Sequence, residues 1–240
     1  MRLISYMLGC FALLGCATFA TPQVKKKLCW LGDTRVVIQL ENYGPGKVFV
    51  HVHANETTAL EAARRIARSN GGQVVTLMHA KERDVHFHLN GRAYSFDPNR
   101  IYTRLGIQKT LKMHGCYDAK AARVVADFAK KVLSSIPAGK VVAVHNNKVY
   151  SLRDYLPHHS LALDAQNIYL RDRGNYRNFF LVTKGHDFYR FKTLGFNVVH
   201  QARHVSDDGS LSVALARRHY VNVEAAFGEL HQQMNMLAHA

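Results

Sequence analysis

The chain has 240 residues, of which 48% are hydrophobic, so it is long and apolar enough to form one folded domain and is not generally disordered. Its 32 Lys and Arg residues outnumber its 17 Asp and Glu residues, which gives a formal net charge of +15. This positive field favours anionic partners such as a cell-wall polymer, an anionic membrane face or an acidic substrate. Nucleic acid is not expected as a partner, because the sequence has no basic helix with interleaved aromatic residues and no nucleic-acid motif.

Residues 1–20 have the pattern of a secretory signal peptide. Arg2 precedes an apolar run of signal-peptide length that ends in small residues, a pattern that indicates a secretory signal and not a spanning helix. Two routes remain open: cleavage after Ala20, or lipidation of Cys16 within the lipobox-like sequence LLGC. Either route predicts an exported protein, periplasmic or secreted, with a lipid anchor in the second case and no transmembrane segment after signal removal.

The remainder, residues 21–240, is expected to form a single domain, because no internal repeat, low-complexity tract or long linker interrupts it. The strand-like runs are TRVVIQL (34–40), KVFVHV (47–52), GQVVTLM (72–78), DVHFHLNGRAYSF (84–96), KVVAVHN (140–146), NFFLVT (178–183), FNVVHQ (196–201), LSVALA (211–216) and YVNVEA (220–225). The helix-like runs are 57–69, 119–135, 187–194 and 227–238.

This alternation predicts an α/β fold with a mixed, mostly parallel twisted sheet and helices on both faces. Asp118 is the predicted N-cap of the second helix, and Asn90-Gly91 is the predicted turn of a hairpin. Cys29 and Cys116 remain after signal removal, and the sequence leaves open whether they form a disulfide or stay as free thiols. In such sheets, functional residues collect at strand ends.

His53 and Glu56 lie in the turn between KVFVHV and the first helix-like run. If this turn is already helical, groups three residues apart face the same way, so the imidazole and the carboxylate can hold one ion. A catalytic zinc site takes three such ligands from the protein and leaves one position open. The alternative is that Glu56 only favours the helix N-terminus electrostatically and His53 is a loop residue.

His145 is the candidate third ligand, because it directly follows the apolar run VVAV; a polar strand end is the alternative. The other candidate histidines are His51, His79, His86, His88 and His114. His51 is expected to point to the opposite face from His53. His86 and His88 alternate along the predicted hairpin, where a solvated or packed role is expected.

Glu224 ends the apolar run YVNV and is a candidate general base. The alternative is an acidic residue that favours the start of the helix predicted at 227–238. Asn99 and Arg100 follow Pro98 in a turn, and an amide beside a guanidinium suits an anionic substrate group, especially a carboxylate. The alternative there is a surface turn in which Asp97 pairs with Arg100.

In chain order, these candidates are His53-x-x-Glu56, Asn99-Arg100, His145 and Glu224. The series resembles the active site of the zinc carboxypeptidase superfamily, the funnelins and their aminoacylase-like and desuccinylase-like relatives, over most of residues 45–230. The resemblance implies one zinc ion bound by the two histidines and Glu56, a substrate carboxylate held by the Asn-Arg pair, and Glu224 as general base.

The family also uses an arginine upstream of the Asn-Arg pair to stabilise the oxyanion, and here Arg83 is favoured over Arg92. The chain is shorter than the digestive members, and HNN follows the strand where they have a serine- and tyrosine-containing turn. The substrate-capping tyrosine is not identified; the candidates are Tyr150, Tyr155, Tyr169 and Tyr176.

The resemblance implies an exported zinc-dependent amidohydrolase or carboxypeptidase-like enzyme that cleaves an amide bond near a substrate carboxylate. Its substrate would be a peptide, an acyl-amino acid or a cell-wall peptide. One alternative is a zinc N-acetylmuramoyl-L-alanine amidase, although there the first His and Glu are usually well separated in sequence. The other is a non-catalytic protein that binds an anionic ligand on a degenerate hydrolase fold, which would be expected to lose the base or the ligands.

Overall fold

The computed structural model describes residues 21–113 and 115–240. The predicted signal peptide, the candidate lipidation residue Cys16 and the histidine candidate His114 lie outside these residues. Within the described ranges, no helix is long and apolar enough to cross a membrane.

The strands are β1 (Gln23–Leu31), β2 (Thr34–Asn42), β3 (Val48–His51), β4 (Gln73–Met78), β5 (Val85–Leu89), β6 (Arg92–Phe96), β7 (Val141–Asn147), β8 (Ala165–Tyr169), β9 (Phe179–Val182), β10 (Val198–Gln201) and β11 (Tyr220–Ala226). The α-helices are α1 (Thr57–Asn70), α2 (Arg104–Met113), α3 (Ala119–Ser135), α4 (Gly185–Thr193), α5 (Leu211–Ala214) and α6 (Leu230–His239). Short 3-10 helices span Leu152–Tyr155 and Ala162–Asp164.

Nine strands form one sheet in the order β1-β2-β4-β3-β7-β11-β9-β10-β8, and β5 and β6 form a separate hairpin. The run β4-β3-β7-β11 at the centre is parallel, as is the pair β9-β10. The pairs β1-β2, β2-β4, β9-β11 and β8-β10 are antiparallel. The predicted α/β class with a mixed sheet is therefore confirmed, with antiparallel pairing towards both edges of the sheet.

Neighbouring residues of the central strands point to opposite faces of the sheet, and apolar side chains cover both faces. Val50 and Ala143 pack in the cluster that contains α3, whereas Phe49 and Val142 pack in the cluster that contains α1 and α6. Since neighbouring residues of a strand point to opposite faces, helices cover both faces of the sheet, as predicted.

Several local predictions are confirmed. The Asp118 carboxylate accepts hydrogen bonds from two backbone amides at the start of α3. Asn90 and Gly91 have φ values of 54° and 73°, as a type I′ hairpin turn requires. Cys29 and Cys116 are both free thiols, which decides the question that the sequence left open.

Other elements differ from the prediction. The run LSVALA was predicted as a strand, but Leu211–Ala214 forms one short helical turn, because so short an apolar run does not distinguish helix from strand. The sequence did not predict β1, β8 or α2. In β1, three consecutive lysines mask the strand pattern, and they are tolerated because β1 lies at the edge of the sheet.

Candidate metal centre and substrate cavity

Three parallel neighbouring strands bring the predicted ligands and base to one edge of the sheet. His53 and Glu56 lie in the turn that joins β3 to α1, and His145 lies near the end of the adjacent strand β7. Glu224 on β11 is the register partner of His145. The carboxyl ends of parallel strands meet at the same edge, so residues far apart in sequence converge there.

The side chains of His53, Glu56 and His145 are buried and directed at one another. Nδ1 of His53 lies 2.9 Å from Oε1 of Glu56, and Nδ1 of His145 lies 3.0 Å from Oε2 of the same carboxylate. The two Nδ1 atoms are 3.2 Å apart. Tetrahedral zinc ligands at about 2.0 to 2.1 Å from the ion lie about 3.3 Å apart, so this donor set fits a zinc ion after a small outward adjustment.

Asp97 fixes the orientation of His53, a contact that the sequence analysis did not identify. Its Oδ1 atom lies 2.8 Å from Nε2 of His53, which leaves Nδ1 directed at the other two ligands. Burial opposes protonation of His53, but the carboxylates of Glu56 and Asp97 outweigh it and raise the pKa of His53 to about 9. Metal-bound histidines commonly donate their second N–H group to such a carboxylate.

Replacing Asp97 with asparagine is expected to weaken zinc binding by about 10- to 100-fold, because an amide holds the imidazole less strongly than a carboxylate does. Chelator competition on the purified protein measures this affinity. Asp33→Asn is the matched control, since Asp33 also binds a histidine, His88, but at an exposed site. Equal affinities for Asp97→Asn and the unmodified protein would contradict this role for Asp97.

Glu224 is held by two asparagine side chains. Its carboxylate accepts hydrogen bonds of 3.1 Å each from Nδ2 of Asn147 and Nδ2 of Asn222. Burial raises the pKa of Glu224, although the neighbouring His145 acts in the opposite direction. A carboxylate whose pKa is raised is a stronger base, which is what proton abstraction from water requires.

The Oδ1 atoms of these two asparagines have a different environment. Their Nδ2 groups face Glu224, and the Oδ1 atoms are buried without a hydrogen-bond partner among the described residues. The same is true of Nε2 of His145 and Oδ1 of Asn55. Unpaired buried polar atoms are costly, so their concentration around one cavity indicates a surface that is completed by a polar ligand or water.

One cavity of about 460 Å³ joins these groups. It is lined by all the predicted site residues, namely His53, Glu56, Arg83, Asn99, Arg100, His145 and Glu224. The cavity is also lined by Asn55, Asn147 and Asn222, which were not predicted from the sequence. Two of these could have been found, because Asn147 lies two residues after His145 and Asn222 two residues before Glu224, so each shares the face of its neighbour.

The two candidate arginines have different surroundings. Arg83 donates hydrogen bonds to Oε1 of Glu56 at 2.8 Å and to Oδ2 of Asp97 at 3.1 Å, at the wall of the cavity. Arg92 is exposed at the start of β6 and is not among the lining residues. Of the two, only Arg83 is placed to reach a bound substrate, although its guanidinium is already shared between two carboxylates.

Asn99 and Arg100 both line the cavity, but Arg100 does not pair with Asp97 as the surface-turn alternative would require. Its guanidinium pairs with the carboxylate of Asp208, while Oδ1 of Asn99 accepts a hydrogen bond from the backbone of Leu211. Asp97 is engaged by His53 instead. The Asn-Arg pair is therefore connected to Asp208 and to the first residue of α5.

Of the four tyrosine candidates, Tyr150 and Tyr155 line the cavity, and their hydroxyl groups form a hydrogen bond with each other. Tyr169 lies on β8 and Tyr176 precedes β9, and neither lines the cavity. Of the four candidates, Tyr150 and Tyr155 are therefore the ones close enough to contact a ligand in the cavity.

Two further contacts hold the candidate ligands Glu56 and His145 in place. Nε2 of His51 lies 3.0 Å from the backbone oxygen of Glu56, and burial lowers the pKa of His51 to about 4, so this histidine stays neutral beside the site. Gln233 of α6 is fully buried and donates to the backbone oxygen of His145 at 3.0 Å. Its Oε1 atom accepts a hydrogen bond of 2.8 Å from Asn146. The last helix therefore holds the ligand-bearing end of β7.

His186, Asp187 and His219 form a second group of potential metal ligands in the described part of the chain. It differs from the first group because Asp187 is also paired with Lys140 at 3.3 Å and Arg190 at 3.6 Å. Two cations beside the only carboxylate of the group disfavour a divalent metal. His86 and His88 are exposed on the hairpin and pair with Glu82 and Asp33, away from the cavity.

No protein-family profile matches the sequence, and no curated protein matches it. Among the solved structures that the chain matches are the following two. An aspartoacylase family protein from Mesorhizobium loti is 13% identical with a TM-score of 0.44, and the match covers 92% of this chain and 68% of that one. The LapA aminopeptidase of Legionella pneumophila is 12% identical with a TM-score of 0.38, and the match covers 90% of this chain and 56% of that one. These proteins are structural neighbours of the chain.

Proposed function

We propose that this protein is a zinc-dependent hydrolase that cleaves an amide bond close to a substrate carboxylate. The observation that carries the proposal is the convergence of two groups on one cavity. These are the cluster of His53, Glu56 and His145, with their donor atoms 2.9–3.2 Å apart, and the buried carboxylate of Glu224. A metal ligand set beside an independent base is the combination that metal-assisted hydrolysis needs.

Zinc bound by the three ligands would supply Lewis acidity, which polarises a carbonyl and acidifies water. Glu224 would take the proton of the attacking water and pass it to the leaving amine. The hydrogen bonds from Asn147 and Asn222 keep its carboxylate in place for both transfers. Arg83 would stabilise negative charge on the carbonyl oxygen, because its guanidinium lies at the cavity wall beside Glu56.

The unpaired Oδ1 atoms of Asn147 and Asn222 support an amide substrate in particular. An amide oxygen accepts hydrogen bonds, so these two atoms suit the N–H groups of a peptide or an acyl-amino acid. Arg100 would bind the substrate carboxylate, either in exchange for Asp208 or beside it. The cavity volume of about 460 Å³ is within the range of small-ligand sites.

Arg100→Ala is expected to raise KM by about 10- to 100-fold for a substrate with a free carboxylate, because a charged hydrogen bond contributes about 1.5–3 kcal/mol. For the same substrate with an amidated terminus, KM should differ little between the variant and the unmodified protein. Steady-state kinetics on this substrate pair measures both effects. An equal loss on both substrates would show that Arg100 does not recognise the carboxylate.

The function itself is tested by incubating the protein with separate pools of peptides, N-acyl-amino acids and muropeptides, with and without a chelator. Release of a free amine that stops with the chelator and returns with added zinc is the expected result. Release from muropeptides at the lactyl-alanine bond would favour the N-acetylmuramoyl-L-alanine amidase alternative. Binding of anionic ligands without release in any pool would favour the non-catalytic alternative. Export remains part of the proposal and rests on the sequence of residues 1–20.

A further inference from the structure

One face of strand β1 is exposed although it carries large apolar side chains. β1 is an edge strand of the nine-stranded sheet, and α3 packs against β1 and β2 on one side. On the other side, α1 packs over β3, β4 and β7. The even-numbered residues of β1 point to this second side, and Trp30, Leu28 and Val24 are 60%, 52% and 47% exposed.

These side chains continue across neighbouring strands as one surface. In the strand register, Leu28 lies opposite Val37 of β2, and Val37 lies opposite Met78 of β4, so all three share a face. Met78 is itself 44% exposed. Trp30 lies opposite the exposed Arg35 in the next pair of the ladder. Contiguous exposed apolar residues on a folded domain usually mark an interaction surface.

The same strand carries a concentration of positive charge. Lys25, Lys26 and Lys27 are consecutive and exposed, and Lys26 lies between Val24 and Leu28 on the apolar face. The nearest carboxylate on β2, Glu41, is bound by Arg64. The surface therefore combines a tryptophan, aliphatic side chains and cations, with little free negative charge.

We infer that this surface, formed by Val24, Lys26, Leu28, Trp30, Arg35 and Met78 and here called the β1 face, docks on an anionic phospholipid membrane. Lysine and arginine side chains bind anionic headgroups, while a tryptophan enters the interface between headgroups and acyl chains. The inference goes beyond the proposed function, and it would hold for a protein with no catalytic activity.

The chain upstream of β1 supports a membrane as the occupant. The apolar run of residues 1–20 ends only a few residues before Gln23, the first residue of β1. If that run, or a lipid on Cys16, stays in a membrane, the tether is too short to hold β1 far from the bilayer. Met78 ends β4, which is parallel to β3, so the β1 face reaches the same end of the sheet as His53.

A second copy of the chain fits the β1 face less well. Edge-to-edge pairing of two β1 strands would bring two sets of three lysines together, and charged residues on edge strands oppose such pairing. Residues 1–20 also fit less well as a cover for the face, because they carry Arg2 and no acidic residue. Neither occupant would neutralise the cations of β1.

The test uses residues 21–240, which contain every element of the fold described above, and vesicles of phosphatidylethanolamine with phosphatidylglycerol or of phosphatidylcholine alone. Trp30 is the only tryptophan of the chain, so its fluorescence reports on the β1 face directly. The emission is expected to shift to shorter wavelength with the anionic vesicles and not with the neutral ones. Vesicle flotation measures the bound fraction, which should fall as salt is raised.

The variant Lys26→Glu, Arg35→Glu, which changes the two cations of the β1 face, should lose at least about 25-fold in vesicle affinity, since each interfacial cation contributes about fivefold. Its matched control is Lys120→Glu, Lys131→Glu, which makes the same charge change on the exposed side of α3, across the sheet. The control should keep most of the binding. Leu28→Ser should weaken binding to the anionic vesicles while Trp30 still reports on it.

Three results would overturn the inference. One is a lack of binding to anionic vesicles at low salt, and another is an equal loss of binding in the two double variants, which would indicate attraction by net charge alone. The third is burial of Trp30 without vesicles. If that burial depends on protein concentration, the occupant is a second copy; if it requires the full chain 1–240, the occupant is the segment 1–20.

Discussion

Glu224→Gln is expected to lower kcat by about 10²- to 10⁴-fold and to leave zinc binding unchanged. Glutamine keeps the size of the side chain but cannot take a proton from water at neutral pH. Glu224 is not one of the three clustered ligands, so the donor atoms of His53, Glu56 and His145 remain in place. Kinetics on the substrate found in the release assay, together with metal analysis, measures the two properties separately.

Glu229→Gln is the control for this variant. Glu229 lies five residues further along the chain and also accepts a hydrogen bond from an asparagine side chain, at 2.5 Å from Nδ2 of Asn178. It does not line the cavity. The control should therefore retain activity. If Glu224→Gln turns over substrate at the same rate as Glu229→Gln, Glu224 is not the base.

The position of the site could be predicted from the sequence because the information is local. His53, His145 and Glu224 each come at or near the end of a strongly apolar run, and central strands of this kind bring their ends to one edge. The order of the other strands was not needed for this conclusion. It required only that β3, β7 and β11 be parallel neighbours, as they are.

The surroundings of these groups could not be predicted in the same way. Asp97 binds His53 across 44 residues of sequence, and Gln233 binds His145 across 88. Neither residue has a local pattern that distinguishes it from an ordinary turn or helix residue. Their roles arise only when the β5-β6 hairpin and α6 pack against the sheet. Arg100 illustrates the same limit, because its partner Asp208 is 108 residues away.

The elements missed by the sequence analysis also have a physical reason. Strand β1 contains three lysines in a row, a composition that disfavours a central strand, yet β2 pairs with it along its whole length. The pattern of α5 is too short to show a period, and burial of Leu211 alone does not distinguish a helix from a strand. Tertiary packing determines the secondary structure of such segments, so local sequence patterns alone do not predict it.

His53→Ala and His145→Ala are each expected to abolish stoichiometric zinc binding, from about one ion per chain in the unmodified protein. Removal of either imidazole leaves two protein ligands. A catalytic zinc site with an open coordination position needs three protein ligands. Metal analysis after dialysis against a weak chelator measures the content of each variant. Far-UV circular dichroism confirms that loss of metal does not follow from loss of the fold.

The matched control for this prediction is His219→Ala, in the group formed with His186 and Asp187. That variant should keep its zinc, because Lys140 and Arg190 already neutralise Asp187 and disfavour a cation there. If His219→Ala loses the ion while His53→Ala and His145→Ala retain it, the metal belongs to the second group. The cavity around Glu224 would then be a polar binding site without a metal, and the proposed hydrolysis would lose its basis.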